Sequence, residues 1–401
     1  MRRSTDRILT THAGSLPRPQ SLIDAYRAGQ DAGEHGLIAD GETQLSDAVA
    51  EVVAEQARCG VDVVNDGEFG KPMTEDSDYG AWATYIYSRL SGYELRERTD
   101  PGRVMQEIFG ACKDRVDFAS FYAAGLDGTA APRRRPRPLP ANVAPIEYTG
   151  QAQIQRDIAN FKAALGSQDV ADAFMTAAFT GVQVGPTEFY KTRDEQAVAI
   201  AEAMREEYRA IVAAGLNVQI DDPLLVNVYE MQYSLSGDLA GFRRWAEGHV
   251  ELLNHALDGI PQDKIRYHLC WGSWVGPHST DLPLRDVIDL LVKINASQYS
   301  FEAANPQHEH EWKVWEGRVL PEGRAVIPGV VTHKTNILEH PETVADRIVR
   351  YANVVGKENV IAGTDCGFAQ NQKTERVHPS VMWAKLEALV EGARLASAEL
   401  F

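Results

Sequence analysis

An α/β chain folded as one (β/α)8 barrel of the TIM type is what this sequence predicts, on three observations. Eight short, apolar, strand-like runs can be counted, amphipathic helical stretches lie between most of them, and the chemically distinctive polar residues gather at one end of those runs. A set of unrelated surface residues would not respect the same end of so many strands.

The first run starts at Arg7 and ends in the turn Gly14-Ser15-Leu16-Pro17. Its helix shows an apolar stripe from Leu45 to Cys59 and a Gly60 stop. The second run, from Val61, ends at Asp66-Gly67-Glu68. Residues 71–150 then break the rhythm. The tract Pro132 to Pro140 carries proline at a density that no helix or central strand tolerates. This region is read as an insertion between strands 2 and 3, partly a hairpin near Pro145 to Gly150, so that residues 1–401 form one barrel with 71–150 set into it. Arg133 to Arg137 read as a solvated loop run before they read as an anion clamp.

After the insertion, strand and helix alternate. Strands are expected over Ala173–Phe179, Asn217–Asp222, Ile265–Cys270, Gln298–Glu302, Ala325–Val331 and Asn359–Cys366, and helices over Asp194–Ala214, Asp238–Leu257, Leu284–Ile294, Pro341–Val355 and Ser380–Ala396. Barrels of this class place their chemistry at the C-terminal ends of the strands. His12, Ser15, Glu68, Asp221, His268, Cys270, Glu302, His333 and Cys366 all lie at or just past such ends.

Composition narrows the partners. The 401 residues are 44% hydrophobic and 24% charged, ample for a large core, and 40 basic against 57 acidic residues give a net charge of −17, the wrong sign for a nucleic-acid surface. Four cysteines in so long a chain make no disulfide framework and point to a reducing compartment. No apolar run approaches the roughly 20 residues that span a bilayer, so a cytoplasmic enzyme without membrane contact is expected. Nothing fixes the oligomeric state, and a homo-oligomer stays open.

The densest chemistry is Tyr267-His268-Leu269-Cys270-Trp271-Gly272. On a strand, positions i and i+2 face the same way, so His268 and Cys270 can converge on one point. Glu302 and Cys366, at the ends of later strands, complete a set of one nitrogen, two sulfurs and a carboxylate, which suits Zn2+ rather than magnesium or calcium. Two thiolates and a carboxylate make an electron-rich centre, a poor activator of water. It is better suited to holding an incoming thiol as thiolate, with the carboxylate yielding its place. Cys59 and Cys112 are taken as small buried hydrophobes, and His308 and His310 as capping and surface residues. Glu68 and Asp221 are two carboxylates at the same mouth, suited to acid–base work or, more usefully beside such a nucleophile, to a substrate ammonium. His12 and Ser15 join them as substrate-binding residues, the Gly14-Ser15 turn offering N–H groups to a carboxylate. His333, whose ordinary pKa lies near working pH, is the expected catalytic proton donor to a leaving group, with Lys334 beside it as the alternative.

Together Gly14-Ser15-Leu16-Pro17, Asp66-Gly67-Glu68, Ile220 to Pro223, His268-Leu269-Cys270, Glu302, Pro328-Gly329-Val330 and Asp365-Cys366-Gly367 resemble the catalytic half of cobalamin-independent methionine synthase and its short, single-barrel relatives. The resemblance covers most of the chain outside 71–150, in the same order. It implies zinc on His268, Cys270, Glu302 and Cys366. It also implies homocysteine held by Ser15, Glu68 and Asp221, and a methyl group passed to its sulfur, as in methionine biosynthesis. Three departures bear on the donor: no second, N-terminal barrel for a polyglutamylated folate, no tryptophan in the third strand, and Lys334 at the aligned position of the acid histidine. The donor is therefore left among methyltetrahydrofolate, methylcobalamin and an epoxide. Trp271 to Trp274 and Phe301 to Pro306 look like the short forms, which include the epoxyalkane:coenzyme M transferases. Two rival readings stand beside the methyltransferase: an epoxide-opening transferase acting with a sulfonated thiol, and a barrel whose zinc is structural and which binds its ligand without transforming it.

Overall fold

The computed structural model describes residues 1–31, 37, 39–73, 82–96, 112–126, 139–166, 168–179, 187–369 and 376–401. Ten strands occur among them: β1 (Leu9–Thr10), β2 (Val63–Val64), β3 (Tyr93–Arg96), β4 (Leu139–Asn142), β5 (Asp172–Ala178), β6 (Asn217–Asp222), β7 (Ile265–Leu269), β8 (Gln298–Phe301), β9 (Ala325–Val331) and β10 (Ile361–Thr364). Eight form one parallel sheet in the order β1-β10-β9-β8-β7-β6-β5-β2. A parallel bridge between Thr11 and Val63 joins its two edges, so the sheet closes into the expected eight-stranded barrel. The Thr11 hydroxyl donates to the Val63 carbonyl at 2.9 Å and reinforces that join.

Register decides which side chains face inward. Phe174, Thr176 and Ala178 pair with Asn217, Gln219 and Asp221, which pair in turn with Arg266 and His268, then Gln298 and Ser300. Because side chains alternate, the odd members of β6 line the bore while Val218, Ile220 and Asp222 face the helices. At the bottom of the bore Leu9, Ile327 and Ile361 form their own small apolar cluster, separate from the large core between strands and helices. Asp222 serves the outer layer: its Oδ1 accepts the Leu224 N–H at 2.9 Å and starts a helix, and its Oδ2 binds His249 Nε2 at 2.6 Å.

Helices cover the barrel at Gln20–Asp31, Ala39–Cys59, Arg193–Ala213, Leu239–Ala256, Pro341–Val355 and Pro379–Leu400, close to the expected spans. Their starts are capped by side chains: Thr192 accepts from the Glu195 N–H, Asp238 from Gly241 and His340 from Glu342. The Leu284–Ile294 helix is corrected to a 3₁₀ turn at Leu284–Asp286 and a single turn at Ile288–Leu291. Its apolar residues are buried all the same, by short turns rather than one stripe. Between β8 and β9 stands a 3₁₀ helix, Glu309–Trp315.

Between β2 and β5 the chain leaves the barrel. It forms a helix at Trp82–Arg89 and an antiparallel pair of β3 and β4, with Leu90 bridged to Tyr148 where a hairpin was expected. Arg89 anchors this excursion: buried, it meets Asp157 at 2.8 Å, and Glu207 takes hydrogen bonds from Tyr85 and Tyr148. Arg133 to Arg137 lie outside the described residues.

One close approach shapes the mouth. A Cβ on Gly329 would lie 2.4 Å from the main-chain N and Cα of Asp365, where the β9–β10 register shifts. Backbone cannot swing aside as a side chain can. Gly329→Ala is expected to lower stability by about 3 kcal/mol, the upper end of overpacking costs. It should also displace Cys366, read as weaker metal binding. An unchanged urea midpoint would contradict this account of the strand pair.

Candidate active site

Six strands deliver polar side chains to the C-terminal mouth. On one side the donor atoms of His268, Cys270 and Cys366 all lie within 4.8 Å of one another. The two Sγ atoms are 3.6 Å apart. Two thiolates on a tetrahedral zinc, each at about 2.3 Å, stand about 3.8 Å apart, so the pair has the separation a shared metal requires. His268 is oriented from behind, its Nδ1 3.1 Å from Ser300 Oγ, and its buried Nε2 has no hydrogen-bond partner. The hydrogen bond from Cys270 holds the Cys366 thiol well below its usual value, and the same bond, with burial, pushes Cys270 up. The pair therefore holds one thiolate, and its second proton leaves when a cation arrives.

Glu302 stands outside that 4.8 Å group but next to it, its charge felt by both thiols. Its Oε2 is held by Asn305 Nδ2 at 2.7 Å and Lys334 Nζ at 3.0 Å, while buried Oε1 has no partner. Burial raises the Glu302 carboxyl, but the Lys334 ammonium and His333 override it and keep it ionised. Asn305 is steadied in turn by Asp365, whose Oδ1 accepts the Ala303 and Ala304 N–H groups at 2.8 and 2.7 Å. A buried nitrogen and a buried carboxylate oxygen without partners, beside two thiols at ligand spacing, fit the expected zinc.

Facing this cluster are Glu68 and Asp221. Glu68 is a non-glycine residue at φ +62°, held there by Asp66 Oδ1 on its N–H at 3.0 Å and by Arg18 Nη2 and the Lys71 N–H on its carbonyl. Strain so thoroughly braced marks positions where the direction of a side chain matters. Asp221 sits beside His268 in register, and Gln219 Nε2 donates to its Oδ1 at 2.6 Å. Burial, and then the Glu68 charge, push its carboxyl up to about 7.

The other expected residues divide. Both nitrogens of His12 are used within the protein, Nε2 on Gln56 at 2.8 Å and Nδ1 accepting the Gly14 N–H at 3.2 Å, and burial lowers its pKa to about 4. It shapes the Gly14 turn from below. The Gly14 N–H thus points inward to His12, and the Ser15 hydroxyl donates to the Ala369 carbonyl at 2.6 Å, so Ser15 has its main chain to offer a ligand. His333 is 3.3 Å from Ser273 Oγ through Nε2, and its Nδ1 is buried without a partner. Burial lowers it to about 4, so at neutral pH it is an uncharged ring, against the expectation of an ordinary titration. Cys59 and Cys112 are buried away from the cluster, as expected. His308 is corrected: far from the surface, it is buried between Asp281 (3.1 Å) and Glu311 (3.0 Å), and those partners outweigh burial and raise its pKa to about 9. His310 is exposed.

Residues that went unpredicted include Ser273, Ser300, Gln219, Asn305 and Arg266, which reaches Thr11 and the His12 carbonyl from within the bore. Ser300 and Gln219 lie two positions before Glu302 and Asp221; the strand period carried one step further would have found both.

The sequence profile of the family described as "Cobalamin-independent synthase, Catalytic domain" matches residues 149–391, more than half of the chain. The chain belongs to that family. Among curated members it is 26% identical over 423 residues to the 2-hydroxypropyl-CoM lyase of Xanthobacter autotrophicus, covering 98% of this chain and 96% of that one. It is 24% identical over 397 residues to the methionine synthase of Saccharolobus solfataricus, covering 98% and 95%. Both relatives are spanned almost end to end, as expected for the short forms of this synthase family. A solved B12-independent methionine synthase from Shewanella sp. W3-18-1, in complex with selenomethionine, superposes with a TM-score of 0.66 at 20% identity over 98% of this chain and 99% of that one, which speaks for the shared fold. Among the described residues no helix of this synthase-family chain is long and apolar enough to cross a membrane.

Proposed function

We propose that this synthase-family protein transfers a methyl or alkyl group to a thiol, homocysteine or a related amino thiol, with zinc at the mouth of the barrel. The observation that carries the reading is the juxtaposition in one mouth of a thiol-rich ligand cluster on β7 and β10 and a carboxylate pair from the β2 loop and β6. His268, Cys270 and Cys366 would hold the metal, with Glu302 as the fourth, exchangeable ligand. When bound, zinc keeps the acceptor sulfur as a thiolate nucleophile at neutral pH. Lys334 and Asn305 steady Glu302 through Oε2. Glu68 and Asp221 take the acceptor's ammonium, and Ser15 lends its main chain. His333, uncharged beside Ser273, is placed to hydrogen-bond a leaving group through Nδ1.

A second reading, epoxide opening by a sulfonated thiol, draws on the similarity to 2-hydroxypropyl-CoM lyase. Against it, two carboxylates repel a sulfonate. A third, a structural zinc in a binding barrel, predicts that chelation unfolds the protein. The deciding experiment is zinc quantification followed by a matrix of thiols (homocysteine, coenzyme M) against donors (methyltetrahydrofolate, methylcobalamin, an epoxide). Methylation of homocysteine is expected. Turnover confined to coenzyme M with an epoxide would install the second reading, and full activity in metal-free protein would end the zinc proposal.

A further inference from the structure

Glu68 and Asp221 account for only half of the pocket opposite the thiol cluster. Below the Gly14 turn several polar groups surround one point. A Cβ on Gly14, whose φ is +124°, would lie 2.7 Å from Thr176 Cγ2, 2.8 Å from Glu68 Oε1 and 3.1 Å from Asn65 Nδ2. Asn65 is fully buried. Its Oδ1 accepts the Gly67 N–H at 2.8 Å, which fixes the orientation of the amide, and the donor Nδ2 is left without a partner. Lys71 is buried in the same place, its Nζ 5.0 Å from the centre of the Tyr85 ring and hydrogen-bonded to the Thr176 hydroxyl. It stands 3.8 Å from Glu68 Oε2, beyond hydrogen-bond distance, and that oxygen too is unpartnered.

Acceptors and donors therefore share one buried space. A ligand bearing an ammonium alone would satisfy the carboxylates and leave Asn65 Nδ2 without a bond. We infer that Lys71 and Asn65 are the specificity residues that bind an anionic group on the acceptor thiol, a carboxylate or a sulfonate, next to the ammonium site of Glu68 and Asp221. The inference rests on the thiol-acceptor reading above and extends it to two residues outside the metal cluster and the carboxylate pair. It gives the buried amide a partner and Lys71 a second one. A carboxylate adjacent to an ammonium satisfies both halves at once, whereas a sulfonated thiol satisfies only the donors.

Calorimetric titration of zinc-loaded protein with homocysteine, 3-aminopropane-1-thiol (the same chain without the carboxylate) and 2-mercaptoethanesulfonate tests this. Wild-type protein is expected to bind at least one anionic thiol about 30-fold more tightly than the aminothiol, in the range that loss of a charged hydrogen bond produces. Lys71→Gln should abolish that preference and leave the aminothiol within about 3-fold, the spread expected of a contact not made. Asn65→Asp, which keeps the acceptor for Gly67 and replaces the donor, should act in the same direction and remains informative if Lys71→Gln misfolds. The anion whose affinity collapses identifies the natural acceptor end. Equal affinity of wild type for all three thiols, or equal weakening of all three in both variants, overturns the inference while leaving the thiol-acceptor reading intact. Failure of wild type to bind any thiol overturns both.

Discussion

Cys366→Ala is expected to leave the barrel folded and to strip it of zinc and activity together. Cys366 sits just past the end of β10, and the bonds that hold that corner belong to its neighbours: the Asp365 N–H donates to the Val331 carbonyl at 2.9 Å and the Asp365 carboxylate ties Ala303, Ala304 and Asn305. Removing one sulfur therefore costs the fold little. For the metal it removes one of two thiolates, and the loss should exceed the roughly 10–100-fold that deleting a mere supporting group produces. Zinc content by elemental analysis, with circular dichroism on the same sample, reads both halves. Cys112→Ala serves as the control, since that thiol lies outside the cluster and should keep its zinc. If Cys366→Ala retained stoichiometric zinc, the assignment of the centre would fall.

Asp221→Asn should have opposite effects on function and stability. The acceptor's ammonium would lose a charged partner, worth about 1.5–3 kcal/mol or some 10–150-fold in affinity. Stability follows from the direction of the shift. The Asp221 carboxyl is raised to about 7 in the fold, by burial and by Glu68, against about 3.9 when unfolded. The folded state thus binds the proton more tightly, so ionisation of Asp221 works against folding progressively as pH rises from about 4, and fully above about 7. Asparagine keeps an oxygen for Gln219 and removes the charge. In metal-free protein the gain in stability should grow by about 3 kcal/mol between pH 5 and pH 8, two units of the shift on either side of a rounded titration. Thermal melts at the two pH values check it. A stability gain that does not depend on pH would show that the charge is not the cause.

The barrel was largely legible because its strands repeat a rule. Each of the eight runs alternates or is wholly apolar, each ends in chemistry, and the structure finds all eight. His268 and Cys270 were legible for the same reason, two positions apart on one strand. What escaped does not follow a period. Glu68 is aimed by a left-handed backbone conformation that asparagine or glycine would adopt more readily, so nothing in its neighbours announced where its side chain points. Lys71 and Asn65 flank it on the same turn and were hidden with it. His308 was misplaced on the surface because both of its acidic partners had to be known to bury it: Glu311 is one 3₁₀ turn away, but Asp281 comes from the loop after β7. The excursion between β2 and β5 resisted because its anchors, Arg89 with Asp157 and Glu207, are far apart in sequence.

The join between β1 and β2 has a consequence of its own. Two strands of two residues each, met by a single bridge from Thr11 to Val63, make this the thinnest seam in the cylinder. The Gly14 turn springs from one lip of that seam and the Glu68 turn from the other, and the Leu16 N–H donating to the Gly67 carbonyl at 3.2 Å is a stitch between them. A guest lying across both turns would act as a rivet, so that occupancy of the pocket and closure of the wall become one event.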